Sequence, residues 1–368
     1  MAAPEADTIL YAWGPGETRL VLMAGGRPLE VVIDRPGLLA GAVFLGRVSA
    51  VDRRLDAAFV DLGQSGRPGF LPGAAALGLS EGHAVAVRVR AEARGGKGPL
   101  LATITPDPAW GGSFRAPAQI HRPTALERLL AAHPGVSRVL VDDMAALAEA
   151  RRLFPAAETA GGLEVDDIFD AALSPEVALP SGGRLLIEAN AALTAIDVDS
   201  GAGRAADANR EAVAAIAREL RLRGIGGQMV VDFVSHGGKA ALFKLARTLK
   251  TALADDPVPC HVFGVTPLGL VELTRERRGL ALSEVAGERN TGPSAETAAL
   301  ATLRRVLAET AGRPGLRPRL AVAPEIADAL ARLPEALAET ERRLGHPLVI
   351  RPLPGRPRQD PLIEDSRP

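Results

Sequence analysis

The segment Ala195-Ile-Asp-Val-Asp-Ser-Gly201 carries two carboxylates out of an apolar run and into a glycine turn. Side chains alternate along a strand, so Asp197 and Asp199 share one face. A second apolar run, Met229-Val-Val-Asp-Phe-Val234, has Asp232 in its middle. A charge buried there is costly unless something compensates it. A hard divalent cation held by one or two carboxylates and its own waters is a usual answer in phosphate chemistry. Such an ion can activate a water for in-line displacement. Each feature also has a plainer reading. An Asp-x-Asp after a strand serves as a turn or helix cap, and a mid-strand aspartate as a satisfied core hydrogen bond or salt bridge.

Other candidate chemistry is weaker. Ser181-Gly-Gly183 and Gly201-Ala-Gly203 lack the lysine and spacing of a phosphate-binding loop and read as turns. His121, His133, His236 and His261 have no ligand spacing. Cys260 is the sole cysteine, which excludes an intramolecular disulfide or a cysteine zinc cage and fits a reducing cytoplasm. The start, MAAPEADTIL, lacks the basic and apolar regions of a signal peptide, and no run of about 18 apolar residues occurs, so neither export nor membrane insertion is expected.

The elements that must position these acids fall into blocks. Short glycine-broken β-type runs fill the first hundred residues, including Ala84-Val-Ala-Val-Arg-Val89 with its period of two. About five close strands suit an OB-fold barrel, a platform for single-stranded nucleic acid. The Pro/Gly-rich stretch 105–122 reads as a linker. Beyond it, helices near 124–132 and 144–154 flank a strand at 138–141, and the acid-bearing runs alternate with helices in a mixed sheet. Gly224 falls where a helix stop belongs. A strand at 260–265 and the segment 268–278 follow, then helices at 296–310 and 324–342 with strands at 319–322 and 348–352, and a disordered tail from Gly355. The expected fold is all-β followed by α/β. Residues 1–105 form a β region containing the barrel, 106–178 an α/β part, 179–282 the acid-bearing α/β domain and 283–368 a small α/β appendix. At 368 residues more than one domain is expected, and 47% hydrophobic with 24% charged residues argues for a folded chain. A net charge of −1 does not advertise a nucleic-acid binder. A local basic bias exists between Lys244 and Arg278.

Taken in order, the motifs resemble the ribonuclease E/G family. Gly41-Ala-Val-Phe-Leu-Gly-Arg-Val-Ser49, Ala57-Ala-Phe-Val-Asp-Leu-Gly63 and Gly69-Phe-Leu-Pro72 look like its S1-like OB-fold. Leu179-Pro-Ser-Gly-Gly183, Leu193-Thr-Ala-Ile-Asp-Val-Asp-Ser-Gly201, Glu219-Leu-Arg-Leu-Arg-Gly-Ile-Gly-Gly227, Val230-Val-Asp-Phe-Val234 and Leu268-Gly-Leu-Val-Glu-Leu-Thr-Arg275 look like its catalytic domain, with 106–178 as an RNase H-like remnant.

The resemblance implies a Mg²⁺-dependent (or Mn²⁺-dependent) endonuclease that cuts single-stranded RNA and leaves a 5′-phosphate on the downstream product. It implies Asp197 and Asp232 as metal ligands. Asp199, usually Asn in the best-known relatives, is either a third ligand or a group that orients the attacking water. Phe59, Phe70 and Lys97 match RNA-contacting positions, with core packing as the alternative for the two rings. Asn209, Arg275 and Arg277 are candidates for organising the site or touching phosphate. Leu45 stands where relatives often carry Lys.

Two departures stand out. Between Ile104 and Arg115 the chain lacks the inserted subdomain that reads a 5′-monophosphate in larger relatives. After Leu282, Ser283-Glu-Val-Ala-Gly-Glu-Arg-Asn290 has no Cys-Pro-x-Cys pair, so no structural zinc is expected, and any homodimer would use other surfaces. A non-catalytic RNA-binding or scaffold protein that retains the fold is the competing expectation.

Overall fold

The structure, a computed structural model, describes residues 5–64, 66–190, 192–288, 292–311, 313 and 315–365. Residues 289 and 290 of the cysteine-free stretch and the last three of the tail lie outside that set. Two compact units are present: 1–35 with 135–275 and 281–368, and 36–134 with 276–280.

The N-terminal β runs do not form one body. Strands β1 (Thr8–Gly14), β2 (Glu17–Ala24) and β3 (Arg27–Asp34) build an antiparallel meander. The barrel follows, from β4 (Val43–Asp52), β5 (Ala57–Asp61), β6 (Gly69–Pro72), β7 (Ala84–Ala91) and β8 (Leu100–Thr103), with β9 (Ala118–His121) alongside β4. The ring runs β4-β5-β6-β8-β7 and back to β4, with β6 and β8 parallel. This is a closed five-stranded barrel of OB-like topology. Long β4 serves three partners because β5 takes its second half while β7 and β9 take its first, and a bulge between Val48 and Ala50 interrupts its pairing with β5. Phe44, Val48, Val60, Leu71, Val87 and Leu101 fill the interior, and helix α1 (Ala125–Ala132), capped by Thr124, ends this unit's main segment.

In the other unit, β10 (Arg138–Val141), α2 (Met144–Leu153), β11 (Glu158–Thr159) and α3 (Val165–Leu173) return to the meander. The sheet order is β11-β10-β1-β2-β3, with β1, β10 and β11 parallel. The part expected as an RNase H-like remnant over 106–178 therefore supplies two strands of this sheet, and residues 8–34 supply the other three. Local patterning could not show this, because the barrel sits between partners more than a hundred residues apart.

The acid-bearing sheet comprises β12 (Glu176–Ala178), β13 (Arg184–Ala189), β14 (Thr194–Asp199), β15 (Gly227–Asp232), β16 (Cys260–Val265) and β17 (Val271–Arg275). Its order is β12-β13-β14-β15-β17-β16, and only β14 and β15 run parallel. They are joined by α4 (Ala205–Leu222), and α5 (Gly238–Ala252) follows β15. Ala208, Ala212, Val213, Ile216 and Leu220 repeat at helical spacing and pack with Ile196, Val198, Met229 and Val231 in one core. Helix α4 stops at Gly224, whose φ of 62° suits a left-handed C′ position.

The C-terminal part holds α6 (Leu282–Ala286), the short pair β18 (Gly287–Glu288) and β19 (Gly292–Pro293), then α7 (Ala295–Thr310), β20 (Pro318–Val322), α8 (Pro324–Ala331), α9 (Pro334–Leu344), β21 (Val349–Pro352) and β22 (Leu362–Asp365). The single helix expected over 324–342 is two, because Pro334 cannot continue a helix and pushes Leu333 out of helical geometry. The tail expected to be disordered instead supplies β22, which pairs antiparallel with β20 through residues 362–365.

One buried charge cluster ties this unit together. The Glu17 side chain, 0% exposed, accepts from Arg19 Nε at 2.8 Å and Arg35 Nε at 2.9 Å, and also pairs with Arg304. Burial alone would raise its carboxyl, but Arg19, Arg304 and Arg35 outweigh that and hold it at about 2. Among the described residues no helix is long and apolar enough to cross a membrane.

Candidate active site

Parallel pairing sets Asp197 opposite Asp232 on β14 and β15. Adjacent strands lie about 4.8 Å apart, so the two carboxylates leave the same face side by side. Burial follows the alternation. Ile196, Val198, Val231 and Phe233 are buried toward the helices, whereas Asp197 and Asp232 are exposed. The expectation of a buried Asp232 is thus corrected: it is the last residue of β15 and points away from the helical layer, so no desolvation penalty is incurred. Both acids sit at the carboxyl ends of parallel strands, where α/β sheets commonly bind ligands.

Among the described residues neither acid accepts a hydrogen bond or pairs with a cation, and no three His, Cys, Asp or Glu side chains group as a metal cage. Two adjacent, unpartnered oxygen donors open to water fit an ion that takes one or two carboxylates and keeps its waters, which is how Mg²⁺ is commonly bound. They do not fit an ion needing a full protein cage.

Asp199 shares the face but is otherwise engaged. Its Oδ1 accepts from Gly201 N at 2.9 Å, and its Oδ2 lies 3.3 Å from Arg184 Nη2. Asn209 is 3% exposed and turned inward: Nδ2 donates to Val234 O at 2.8 Å, and Val234 N donates to Oδ1 at 3.0 Å. That pair of bonds fixes the backbone two residues beyond Asp232 to α4. Arg275 is buried, with Nε and Nη2 bonded to Asp256 at 2.9 and 3.0 Å and Nη1 to Ile225 O at 3.0 Å. Both side chains are buried and bonded within the protein rather than exposed to a phosphate. The resemblance offered both as groups that organise the site or touch phosphate; burial, visible only in three dimensions, commits their side chains to internal bonds.

Two residues outside the sequence reading share the acidic face. Glu272, opposite Val230, is exposed between buried Val271 and Leu273. Arg184 stands opposite Asp199. The alternation around Glu272 was a usable signal for it; Arg184 had none, because its partner is set by the hairpin register.

The barrel unit carries the remaining residues. Phe59 and Phe70 are register partners, half-buried on the outer side, with ring centroids 6.0 Å apart at 70°. Interior positions next to them go to Ala58, Val60 and Leu71. Leu100, 39% exposed, pairs with Phe70 and extends the apolar row. Lys97 is exposed in a turn closed by bonds between the Arg94 and Lys97 backbones. Leu45 is half-buried on β4. Arg277 is exposed in the segment 276–280 that groups with this unit.

A model of the Ribonuclease E/G family matches residues 132–278. Similar curated proteins include a ribonuclease E of Nostoc sp., 36% identical over 205 residues, covering 48% of this chain and 30% of the relative. Another is a ribonuclease E of Synechocystis sp., 34% identical over 193 residues, covering 48% of this chain and 28% of the relative. A ribonuclease G of Salmonella typhimurium is 31% identical over 198 residues, covering 50% of this chain and 40% of the relative. The matches thus span less than half the length of these relatives.

Proposed function

From the match of residues 132–278 to the ribonuclease E/G family, we propose that the chain belongs to that family and is a Mg²⁺-dependent endoribonuclease acting on single-stranded segments of RNA. The observation that carries this reading is the side-by-side, unpartnered pair Asp197 and Asp232 on an open sheet face. In this reading both carboxylates hold the ion. Bound there, Mg²⁺ supplies Lewis acidity toward the scissile phosphate and its attacking water. The two acids orient that site, and Asn209 keeps the end of β15 in register beneath it. Hydrolysis with the water attacking phosphorus leaves a 5′-phosphate on the downstream product and a 3′-hydroxyl upstream.

The barrel, read as S1-like, supplies affinity. Bases stack on the outward Phe59 and Phe70, and Lys97 meets backbone phosphate, the usual division of labour on such platforms. With no 5′-end-reading insert between residues 104 and 115, cleavage is indifferent to whether the RNA begins with a monophosphate or a hydroxyl. Mn²⁺ substitutes for Mg²⁺, and no stoichiometric zinc accompanies the protein.

The test is cleavage of a 5′-hydroxylated single-stranded RNA with and without Mg²⁺, by the wild type and by Asp232→Asn. Mg²⁺-dependent cutting lost in the variant is the expected result. A wild type that binds the RNA and leaves it intact would overturn the nuclease reading in favour of an RNA-binding scaffold, and a variant that cuts as well would remove Asp232 from the site.

A further inference from the structure

The hairpin β13–β14 sets a cation beside the acidic pair. Arg184 is register partner to Asp199, and two residues further along the same pairing Leu186 is partner to Asp197. Residues two apart on a strand share a face, so Arg184 stands one row beyond the unpartnered carboxylates. The loops on either side meet backbone to backbone. A Cβ on Gly183 would lie 2.5 Å from Asp199 O, one on Gly201 2.6 Å from Gly182 O, and one on Gly203 2.6 Å from Ser181 O. Only glycine allows that approach, and it shapes a cleft of about 530 Å³ lined by Glu176, Gly182, Gly183, Arg184, Asp199 and Gly201.

Within this cleft the guanidinium is held but not saturated. Its contacts to Asp199 and Glu176 are 3.3 and 3.6 Å, longer than the 2.7–2.9 Å usual for charge-assisted bonds. The side chain is 54% exposed, and a guanidinium has five donors. Arg275 and Arg223 differ: the first is buried on Asp256 and Ile225, the second on Glu219 and the Ser174 carbonyl at short distances. The two oxygens of Asp199 go to Gly201 N and Arg184, which suits a carboxylate that positions a cation better than one that ligates a metal.

The geometry points to Arg184, positioned by Asp199, as the residue that takes a backbone phosphate of the RNA strand at the Asp197–Asp232 site. The assignment rests on the nuclease reading for its substrate class. A planar guanidinium suits a phosphate through two parallel hydrogen bonds, and a cation there offsets the repulsion between a polyanion and an acidic face.

The probe is a fluorescein-labelled, 5′-hydroxylated single-stranded RNA, with binding measured by anisotropy in EDTA so that nothing is cut. Arg184→Ser should weaken binding about tenfold, the scale of one hydrogen bond to a charged group. It should also reduce the slope of log K against log salt by about 0.7, the loss of one phosphate contact. Arg184→Lys should restore the slope but only part of the affinity. Since Asp199 is assigned to Arg184, Asp199→Asn should bind Mn²⁺ within about twofold of the wild type by calorimetry. Binding by Arg184→Ser within twofold of wild type, with an unchanged slope and a wild-type melting curve, overturns the assignment. So does a tenfold loss of Mn²⁺ affinity in Asp199→Asn. If the wild type fails to cut RNA in Mg²⁺, the nuclease reading falls while the Arg184 dependence of binding is still measured. If it cuts and Arg184→Ser binds normally, only the present assignment falls.

Discussion

Replacing Asn209 by Ala separates a positioning role from an RNA contact. The amide makes two bonds to the Val234 backbone, at 2.8 and 3.0 Å, from a residue only 3% exposed. Truncation removes both and leaves a backbone donor and acceptor without partners, at about 1–3 kcal/mol for each group that water does not reach. Val234 is half-buried, so water recovers part of this. The expected loss is about 2–4 kcal/mol, a large share of the 5–15 kcal/mol typical of a folded domain. Urea unfolding should show an earlier midpoint with an unchanged slope. Single-stranded RNA affinity in EDTA, measured at low temperature where the variant stays folded, should hold within about twofold. Cleavage should fall, because the end of β15 that carries Asp232 has lost its tie to α4. Asn209→Asp keeps an acceptor for Val234 N–H but sets a second acceptor against the Val234 carbonyl, so it should also destabilise. Unfolding of Asn209→Ala within about 0.5 kcal/mol of wild type, with RNA binding weakened tenfold, would instead make Asn209 an RNA contact.

Arg275→Ala should destabilise by about 3–5 kcal/mol, because the Asp256 side chain, 4% exposed, loses its buried partner. Arg275→Lys should recover only part, lacking the planar fork, and a stable variant with weakened RNA binding would contradict this. For Glu17, a carboxyl lowered from 4.5 to about 2 in the folded state adds stability that is complete above 4.5 and lost as pH falls toward 2. At about 1.36 kcal/mol per pH unit this amounts to about 3 kcal/mol. The acid dependence of unfolding should be flatter by that amount in Glu17→Gln, and equal slopes in the two proteins would dismiss the argument. Phe70→Ala should weaken single-stranded RNA binding by about 1–3 kcal/mol with little effect on duplex RNA, as gel shifts would report; equal losses on both would remove the stacking role.

Much of the local structure was legible because it follows from alternation and helical spacing. The strand at 138–141 and the strand at 260–265 occur where those patterns put them. Helix α4 ends at Gly224 for the conformational reason read from its position. The pieces that escaped depend on distant partners. The two-residue strand β11 and the tail strand β22 have too little pattern of their own, and each exists because another strand offers free backbone groups to it.

The same division holds at the site. Residue types and order alone singled out Asp197, Asp199 and Asp232 and placed two of them on one face, because a period of two is a local property. Whether the acids are buried, which carboxylate is free and which side chains are already engaged depends on register and on the helical layer. Parallel pairing put Asp197 beside Asp232, the hairpin gave Asp199 to Arg184, and close packing turned Asn209 and Arg275 inward. A side chain's chemistry is written in its type, but its availability is set by what the chain brings against it.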